Sequence, residues 1–332
     1  MKDAQQLKAL ISTPKKIVIT THRGPDGDAM GSSLGLFHLL KQLGHTVNVI
    51  TPNKYAEFLH WLPANKDVII YEGNEVAADE ITAECDMIFL LDFSDLRRID
   101  PFNKTISKST ATKIMIDHHQ DPDRDIANLI FSDTTACSTA QLVYEIIDAM
   151  GMKTYLNKEI AESLYTGIMT DTGSFKYPST TAKTHNIIAE LITAGAENSK
   201  IHDLIYDNSS ANRIKLIGYC LNRKLILYPK NNSAIISLTA EELKQFKFKK
   251  GDTEGIVNYA LAIKGINFAT FIAEKDGLVK LSLRSKGNIK VNEIAKEHFQ
   301  GGGHTNASGA ISQVSVDDTI IILEKIIKNL NN

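Results

Sequence analysis

Residues 22 to 28 place one imidazole and two carboxylates within seven positions: His22-Arg23-Gly24-Pro25-Asp26-Gly27-Asp28. Gly24, Pro25 and Gly27 bend the stretch, so its polar side chains can converge. Two later stretches repeat the chemistry, Leu91-Asp92-Phe93-Ser94-Asp95 and Ile116-Asp117-His118-His119. Converging carboxylates repel by about 4 kcal/mol per pair at 4 Å in an effective dielectric near 20. Something cationic must therefore compensate. Mixed imidazole and carboxylate donors suit Mn²⁺, Fe²⁺, Co²⁺ or Zn²⁺ better than Ca²⁺. The plainer reading is a helix cap, with Asp28 as N-cap of a helix beginning near Ala29. It explains one Asp, but not His22 and Asp26 as well. In this composition H-x-x-x-D-x-D arises by chance about 0.04 times per chain and D-H-H about 0.02 times. The two together point to metal. The isolated His38, His45, His60 and His202 receive no role.

Each stretch follows a short apolar run. The runs are Ile17–Ile19, Val47–Ile50, Val68–Ile70, Met87–Leu91 and Ile114–Ile116. Their length and bulky content predict buried strands. Between the first two, 29–43 predicts a helix, closed by Gly44. Strand–helix–strand alternation with continuous apolar runs predicts a parallel sheet with helices on both faces. Ligands of such sheets bind beyond the carboxyl ends of the strands, where these His and Asp residues fall. Residues 137–191 read as mainly helical. A polar, helix-prone stretch from Glu197 to Lys224 follows, ended by Pro229. Strand-like runs resume at 234–236, 268–272 and 278–283, and Gly301-Gly302-Gly303 precedes a final helix. The expected layout is a catalytic domain over 1–195, a helical linker over 196–230 and a smaller α/β domain over 231–332.

The chain has 332 residues, 43% of them hydrophobic and 23% charged, which excludes a mostly disordered chain. Its 37 Lys and Arg stand against 39 Asp and Glu, a net charge of −2. A protein that coats long nucleic acid normally carries a basic excess, so no long nucleic acid is expected as a stable partner. Three distant cysteines without a C-x-x-C, and no signal-type apolar run or membrane span, predict a cytoplasmic protein in a reducing compartment.

The loop with Pro25-Asp26-Gly27-Asp28 and Gly31-Ser32, the Asp after the fourth run, and Asp117-His118-His119 resemble the DHH phosphoesterase superfamily. Arg23-Gly24 ahead of Pro25 is a small departure. A further family motif matches Asp171 in Met169-Thr170-Asp171-Thr172-Gly173-Ser174-Phe175. In the last third, Leu281-Ser282-Leu283-Arg284-Ser285 and Gly301-Gly302-Gly303-His304 resemble the DHH-associated C-terminal domain. The likeness spans essentially the whole chain and is greatest to the short nanoRNase and pAp phosphatase branch.

The resemblance implies two divalent metal ions, usually Mn²⁺, with Mg²⁺ or Co²⁺ as alternatives, that activate water. It implies one metal on His22, Asp26 and Asp92 and another on Asp28, Asp92, His118 and Asp171, with Asp92 shared. His119 would act on the phosphate or leaving group, and Asp117 would orient the histidines. Arg284, Gly301, Gly302, Gly303 and His304 would cradle a substrate phosphate, placing the active site in an interdomain cleft. The implied substrates are short RNA or nucleotides, namely nanoRNA, pApA and 3′-phosphoadenosine 5′-phosphate (pAp), and a homodimer is allowed. Rival expectations are a single-stranded DNA exonuclease, a pyrophosphatase of the same superfamily, and a non-catalytic nucleotide sensor.

Overall fold

The computed structural model describes residues 3–275 and 277–330. The chain forms two compact units, Met1–Asn208 and Ser209–Asn332. In the first, the elements in chain order are α1 (Ala4–Leu10), β1 (Lys16–Thr21), α2 (Gly27–Gln42), β2 (Thr46–Thr51), β3 (Ile69–Ile70), α3 (Glu75–Ala83) and β4 (Met87–Leu91). Then come α4 (Asn103–Lys108), β5 (Thr112–Asp117), β6 (Leu129–Ser132), α5 (Thr139–Ala149), α6 (Lys158–Asp171), α7 (Ala182–Thr193) and α8 (Asn198–Tyr206).

The strands make one all-parallel sheet in the order β3-β2-β1-β4-β5-β6. Successive strand residues face opposite sides. Ile17, Ile19, Met87, Phe89, Leu91, Ile114 and Ile116 enter one core, while Val18, Ile88, Leu90 and Met115 enter the other. Both faces are buried, which is why the runs are apolar throughout rather than alternating. The sixth strand, β6, was not expected from the sequence. It spans Leu129–Ser132, and its apolar run Leu129-Ile130-Phe131 was passed over. The strand order reverses between β1 and β4. Ligands of open α/β sheets bind at that point, outside the carboxyl ends.

Gly44 lies just past the end of α2 with φ +87°, as its predicted closing role requires. The start of α2 corrects the capping expectation. The N-cap is Asp26, whose Oδ1 accepts from the backbone N–H of Asp28 and Ala29, both at 3.1 Å, while Asp28 lies inside the first turn. α2 packs tightly on α6. A Cβ on Gly31 would sit 2.5 Å from the Ser163 carbonyl oxygen and 2.7 Å from the Gly167 nitrogen, so only glycine allows this approach.

The second unit contains α9 (Ala211–Tyr219), β7 (Leu225–Tyr228), β8 (Ser233–Leu238), α10 (Ala240–Gln245), α11 (Ile256–Leu261), β9 (Phe268–Lys275) and β10 (Leu278–Ser285). It ends with α12 (Val291–His298), β11 (Gln300–His304), β12 (Ala307–Ser312) and α13 (Val316–Asn329). Its sheet runs β11-β12-β10-β9-β8-β7, antiparallel except between β8 and β9. The stretch 196–230, expected as a linker, is divided: α8 belongs to the first unit, and α9 and β7 to the second. Gly301–Gly303 lie in β11, an edge strand paired with β12. Among the described residues, no helix is long and apolar enough to cross a membrane.

Candidate metal centre

Three strand ends and one helix end build the centre. β1 leads directly into His22, and Asp26 and Asp28 follow at the start of α2. Asp92 follows β4. Asp117 closes β5 and leads into His118 and His119. Asp171 is the last residue of α6, brought alongside by the close packing of α2 on α6.

Asp92 is common to three groups of donor atoms, two of which match the expected ligand sets. His22 Nε2 lies 3.4 Å from Asp92 Oδ2 and 3.8 Å from Asp26 Oδ2. His118 Nε2 lies 3.6 Å from Asp92 Oδ1, 3.6 Å from Asp171 Oδ2 and 3.8 Å from Asp28 Oδ2. Most of these separations exceed hydrogen-bond length. Donors about 2.1 Å from one ion in tetrahedral or octahedral geometry lie about 3.0–3.4 Å from each other. The observed spacing is slightly wider than that and suits atoms arranged around a common centre. His22, Asp26 and Asp92 form one such set, and Asp28, Asp92 and His118 another.

Both histidines have their outer nitrogen engaged by a carbonyl. His22 Nδ1 lies 3.1 Å from the Arg23 oxygen, and His118 Nδ1 lies 3.3 Å from the Ala136 oxygen. A proton on each Nδ1 donates to that carbonyl and leaves Nε2 with a lone pair facing the carboxylates. Asp28 is gripped by the N-terminus of α5: Thr139 N–H donates to Oδ2 at 2.6 Å and Ala140 N–H to Oδ1 at 2.8 Å. The Thr139 hydroxyl donates to Asp92 Oδ1 at 2.9 Å. Asp92 itself has φ +65°, a strained conformation for a residue with a side chain.

The electrostatics call for positive charge. Burial, then the neighbouring Asp28, Asp26, Asp117 and Asp171, hold the Asp92 carboxyl well above the usual range. Burial also raises Asp28, although His118 and the α5 N–H groups oppose it. Burial pulls His22 down to about 4. Burial works against the charge on His118 too, but Asp171, Asp28 and Asp117 outweigh it and raise that group. Buried carboxylates and imidazoles with Nε2 lone pairs directed at one another form a donor set that fits divalent cations of the Mn²⁺ to Zn²⁺ class.

His119 belongs to the third group, with Asp92 and Asp117. Its Nδ1 lies 2.8 Å from Asp117 Oδ1 and 3.7 Å from Asp92 Oδ1. Asp117 is fully buried, and its other oxygen, Oδ2, makes no hydrogen bond. Asp117 therefore contacts one of the two histidines it was expected to orient, His119, while the Ala136 carbonyl faces His118.

In the second unit, Arg284 on β10 and His304 on β11 both lie opposite Ala307 of β12. Cross-strand partners share a face, so these residues, twenty apart in sequence, form one row. Arg284 donates to the Leu283 carbonyl at 3.0 Å. A side chain on Gly301 would run into the Gly309 carbonyl and Ala310, whereas Gly302 would meet only the end of the Lys296 side chain, at 3.9 Å.

The sequence reading passed over Thr139 and Ala140, which hold Asp28 and Asp92, and over Ala136. Ser138, whose hydroxyl accepts from Gln141 N–H, is a standard N-cap signal that marks this helix start. Nothing in the sequence pattern marks Ala136, which contributes only a carbonyl.

Comparison with known proteins places the chain among related sequences. The family models "DHH family, N-terminal domain" and "DHHA1 domain" match residues 16–168 and 231–331. The bifunctional oligoribonuclease and PAP phosphatase NrnA of Bacillus subtilis is 30% identical over 309 residues, covering 92% of each chain. The probable NrnA of Streptococcus mutans is 31% identical over 325 residues, covering 97% of each. The crystal structure of an exopolyphosphatase-related protein from Bacteroides fragilis is 40% identical, with TM-score 0.94, over 99% of this chain and 96% of that one.

Proposed function

The chain belongs to the DHH family, with a DHHA1 domain in its second unit, and on that footing we propose that it is a metal-dependent phosphoesterase of short oligoribonucleotides and of pAp. The observation that carries this reading is Asp92, shared by two donor sets at the switch point of the parallel sheet. Relatives named as oligoribonucleases and PAP phosphatases, aligned over nearly their full length, supply the substrate class.

His22, Asp26 and Asp92 would hold one ion, and Asp28, Asp92, His118 and Asp171 the other. Mn²⁺ is the metal we assign, on the mixed nitrogen and oxygen donors. Bound divalent ions supply Lewis-acid charge for phosphoryl oxygens and lower the pKa of water.

The chain's own residues do the rest. The Arg23 and Ala136 carbonyls fix which nitrogen of each ligand histidine stays free. The α5 N-terminus and the Thr139 hydroxyl hold Asp28 and Asp92 in place. Asp117 accepts a hydrogen bond from His119 Nδ1–H; in the imidazolium form the second proton, on Nε2, would serve the scissile phosphate, stabilising developing charge or passing to the leaving oxygen. Arg284 and His304, in one row, bind a phosphate that is not cleaved, with the glycines of β11 giving close backbone access. We place the enzyme in the cytoplasm, in keeping with its three free cysteines.

The test is a substrate panel with Mn²⁺: pAp, pApA, pyrophosphate, and RNA and DNA of 2 to 20 nucleotides. The expected result is turnover of pAp and of RNA of two to five nucleotides. Rates on 20-nucleotide strands equal to those on dinucleotides would favour a long-strand exonuclease. Turnover of pyrophosphate alone would favour a pyrophosphatase, and no turnover at all a nucleotide sensor.

A further inference from the structure

Three arginines stand beside the loop that carries His22 and Asp26, and two of them have their guanidinium groups occupied. Arg23 pairs with Glu72 and donates from Nη1 to the Asp100 carbonyl at 3.1 Å. Arg97 pairs with Asp95, donating to Oδ2 from Nε at 2.8 Å and also from Nη2. Arg98 differs. Its side chain is exposed and makes no hydrogen bond or ion pair among the described residues.

The backbone of Arg98 is nonetheless fixed. It belongs to a short turn, Leu96–Ile99, that follows Asp92. Asp95 caps the turn by accepting from the Arg97 N–H at 2.7 Å, and Ile99 is fully buried. The Arg98 carbonyl accepts from the Arg23 N–H at 2.7 Å, and the Arg23 carbonyl faces His22 Nδ1 at 3.1 Å. The charge of Arg98 reaches that histidine. Burial is the main cause that holds His22 down at about 4; Asp26 opposes it, and the Arg98 charge adds to it. Asp26 is the exposed member of the His22, Asp26 and Asp92 set, so Arg98 lies on the side open to solvent.

An unpaired cation beside a metal set works against metal binding and in favour of an anion. The centre holds five carboxylates, Asp26, Asp28, Asp92, Asp117 and Asp171, against the four positive charges of two divalent ions. The balance is negative, so an entering phosphate needs a further cation. A guanidinium offers a planar fork of donors that matches phosphate oxygens.

Resting on the phosphoesterase reading above, we propose that Arg98 is a further catalytic residue, whose guanidinium grips non-bridging oxygens of the scissile phosphate on the side of His22 and Asp26. There it offsets negative charge as it develops on those oxygens. Arg98 lies in the first unit with the donor sets, so this role depends on nothing in the second unit. It applies to every phosphoester cleaved at the centre, with or without a second phosphate.

The experiment measures two affinities on the full chain: Mn²⁺, by electron paramagnetic resonance of the free ion, and AMP, a ligand with a single phosphate, by calorimetry on the Mn²⁺-loaded protein. Arg98→Ala keeps the backbone carbonyl that holds Arg23. It is expected to weaken AMP about 10- to 100-fold, the range for a charge-assisted hydrogen bond. Mn²⁺ binding should stay equal or tighten by up to about fivefold, because a repelling charge roughly 10 Å away is gone. Arg98→Lys keeps the charge and should return Mn²⁺ affinity to that of the wild type, while recovering AMP binding only in part. Arg97→Ala removes a charge that already serves Asp95 and should change AMP binding less than about twofold. In activity assays, Arg98→Ala should lower kcat/KM alike on pAp and on bis-p-nitrophenyl phosphate, which has no second phosphate. Unchanged AMP binding in Arg98→Ala overturns the proposal. Weakened Mn²⁺ binding in that variant also overturns it, making Arg98 a support of the loop. Loss of AMP binding in a protein whose wild type cleaves no phosphoester would uphold the grip on phosphate and overturn the proposed reaction.

Discussion

Thr139→Val isolates one contact behind the metal ligands. The substitution keeps the side-chain shape and the backbone N–H that Asp28 accepts, and removes only the hydroxyl 2.9 Å from Asp92 Oδ1. Thr139 is fully buried, so water cannot easily replace the lost donor. A hydrogen bond to an ionised acceptor contributes about 1.5–3 kcal/mol. At about 1.4 kcal/mol per decade that is roughly 10- to 150-fold. Partners behind metal ligands typically change affinity or activity by about 10- to 100-fold. Because Asp92 serves both donor sets, the loss should fall on metal affinity. The assay is the initial rate on pAp across a Mn²⁺ titration. Half-maximal Mn²⁺ should rise about 10- to 100-fold, while the rate at saturating metal stays within a few-fold. Thr139→Ser should restore the wild-type titration. An unchanged Mn²⁺ midpoint with a collapsed saturated rate would refute the view that Thr139 acts by orienting a ligand.

His119→Ala should lower kcat by about 10²–10⁴ with metal content unchanged by elemental analysis; loss of an ion would make His119 a ligand. Gly31→Ala should overpack α2 against α6 and cost about 1–3 kcal/mol, read as a lower Tm, and an unshifted Tm would contradict the close approach. The raised Asp92 and Asp28 carboxyls give metal-free protein a stability contribution that is present below their unfolded pKa values and lost as pH rises through the raised folded ones. Divalent ions should therefore raise Tm more at pH 7.5 than at pH 5 and release protons on binding, which calorimetry in buffers of different ionisation enthalpy would detect; equal shifts at both pH values would count against it.

Much of the first unit was legible in the sequence because burial on both faces makes its strands continuous apolar runs. Five runs each coincide with a strand of the sheet, and the donor residues follow the ends of β1, β4 and β5. β6 was passed over although Leu129-Ile130-Phe131 is as long an apolar run as Ile17–Ile19. The second unit was less legible. β7 lies within 196–230, expected as a helical linker, and β11 carries three glycines, which have no strand propensity. Glycine occurs there because neighbouring strands approach too closely for a Cβ at Gly301. Asp171 came from family resemblance, since a carboxylate at a helix end has no spacing signal of its own. The contacts of Thr139 and Ala136 are tertiary, and no local pattern encodes them.

The central claim is that Asp92 is shared by two ions. Anomalous diffraction at the manganese edge, from crystals of this chain grown with Mn²⁺, tests it most directly. The account predicts two peaks, one among His22, Asp26 and Asp92 and the other among Asp28, Asp92, His118 and Asp171, with a carboxylate oxygen of Asp92 reaching each. A single peak, or two peaks with Asp92 bound to only one, would contradict it.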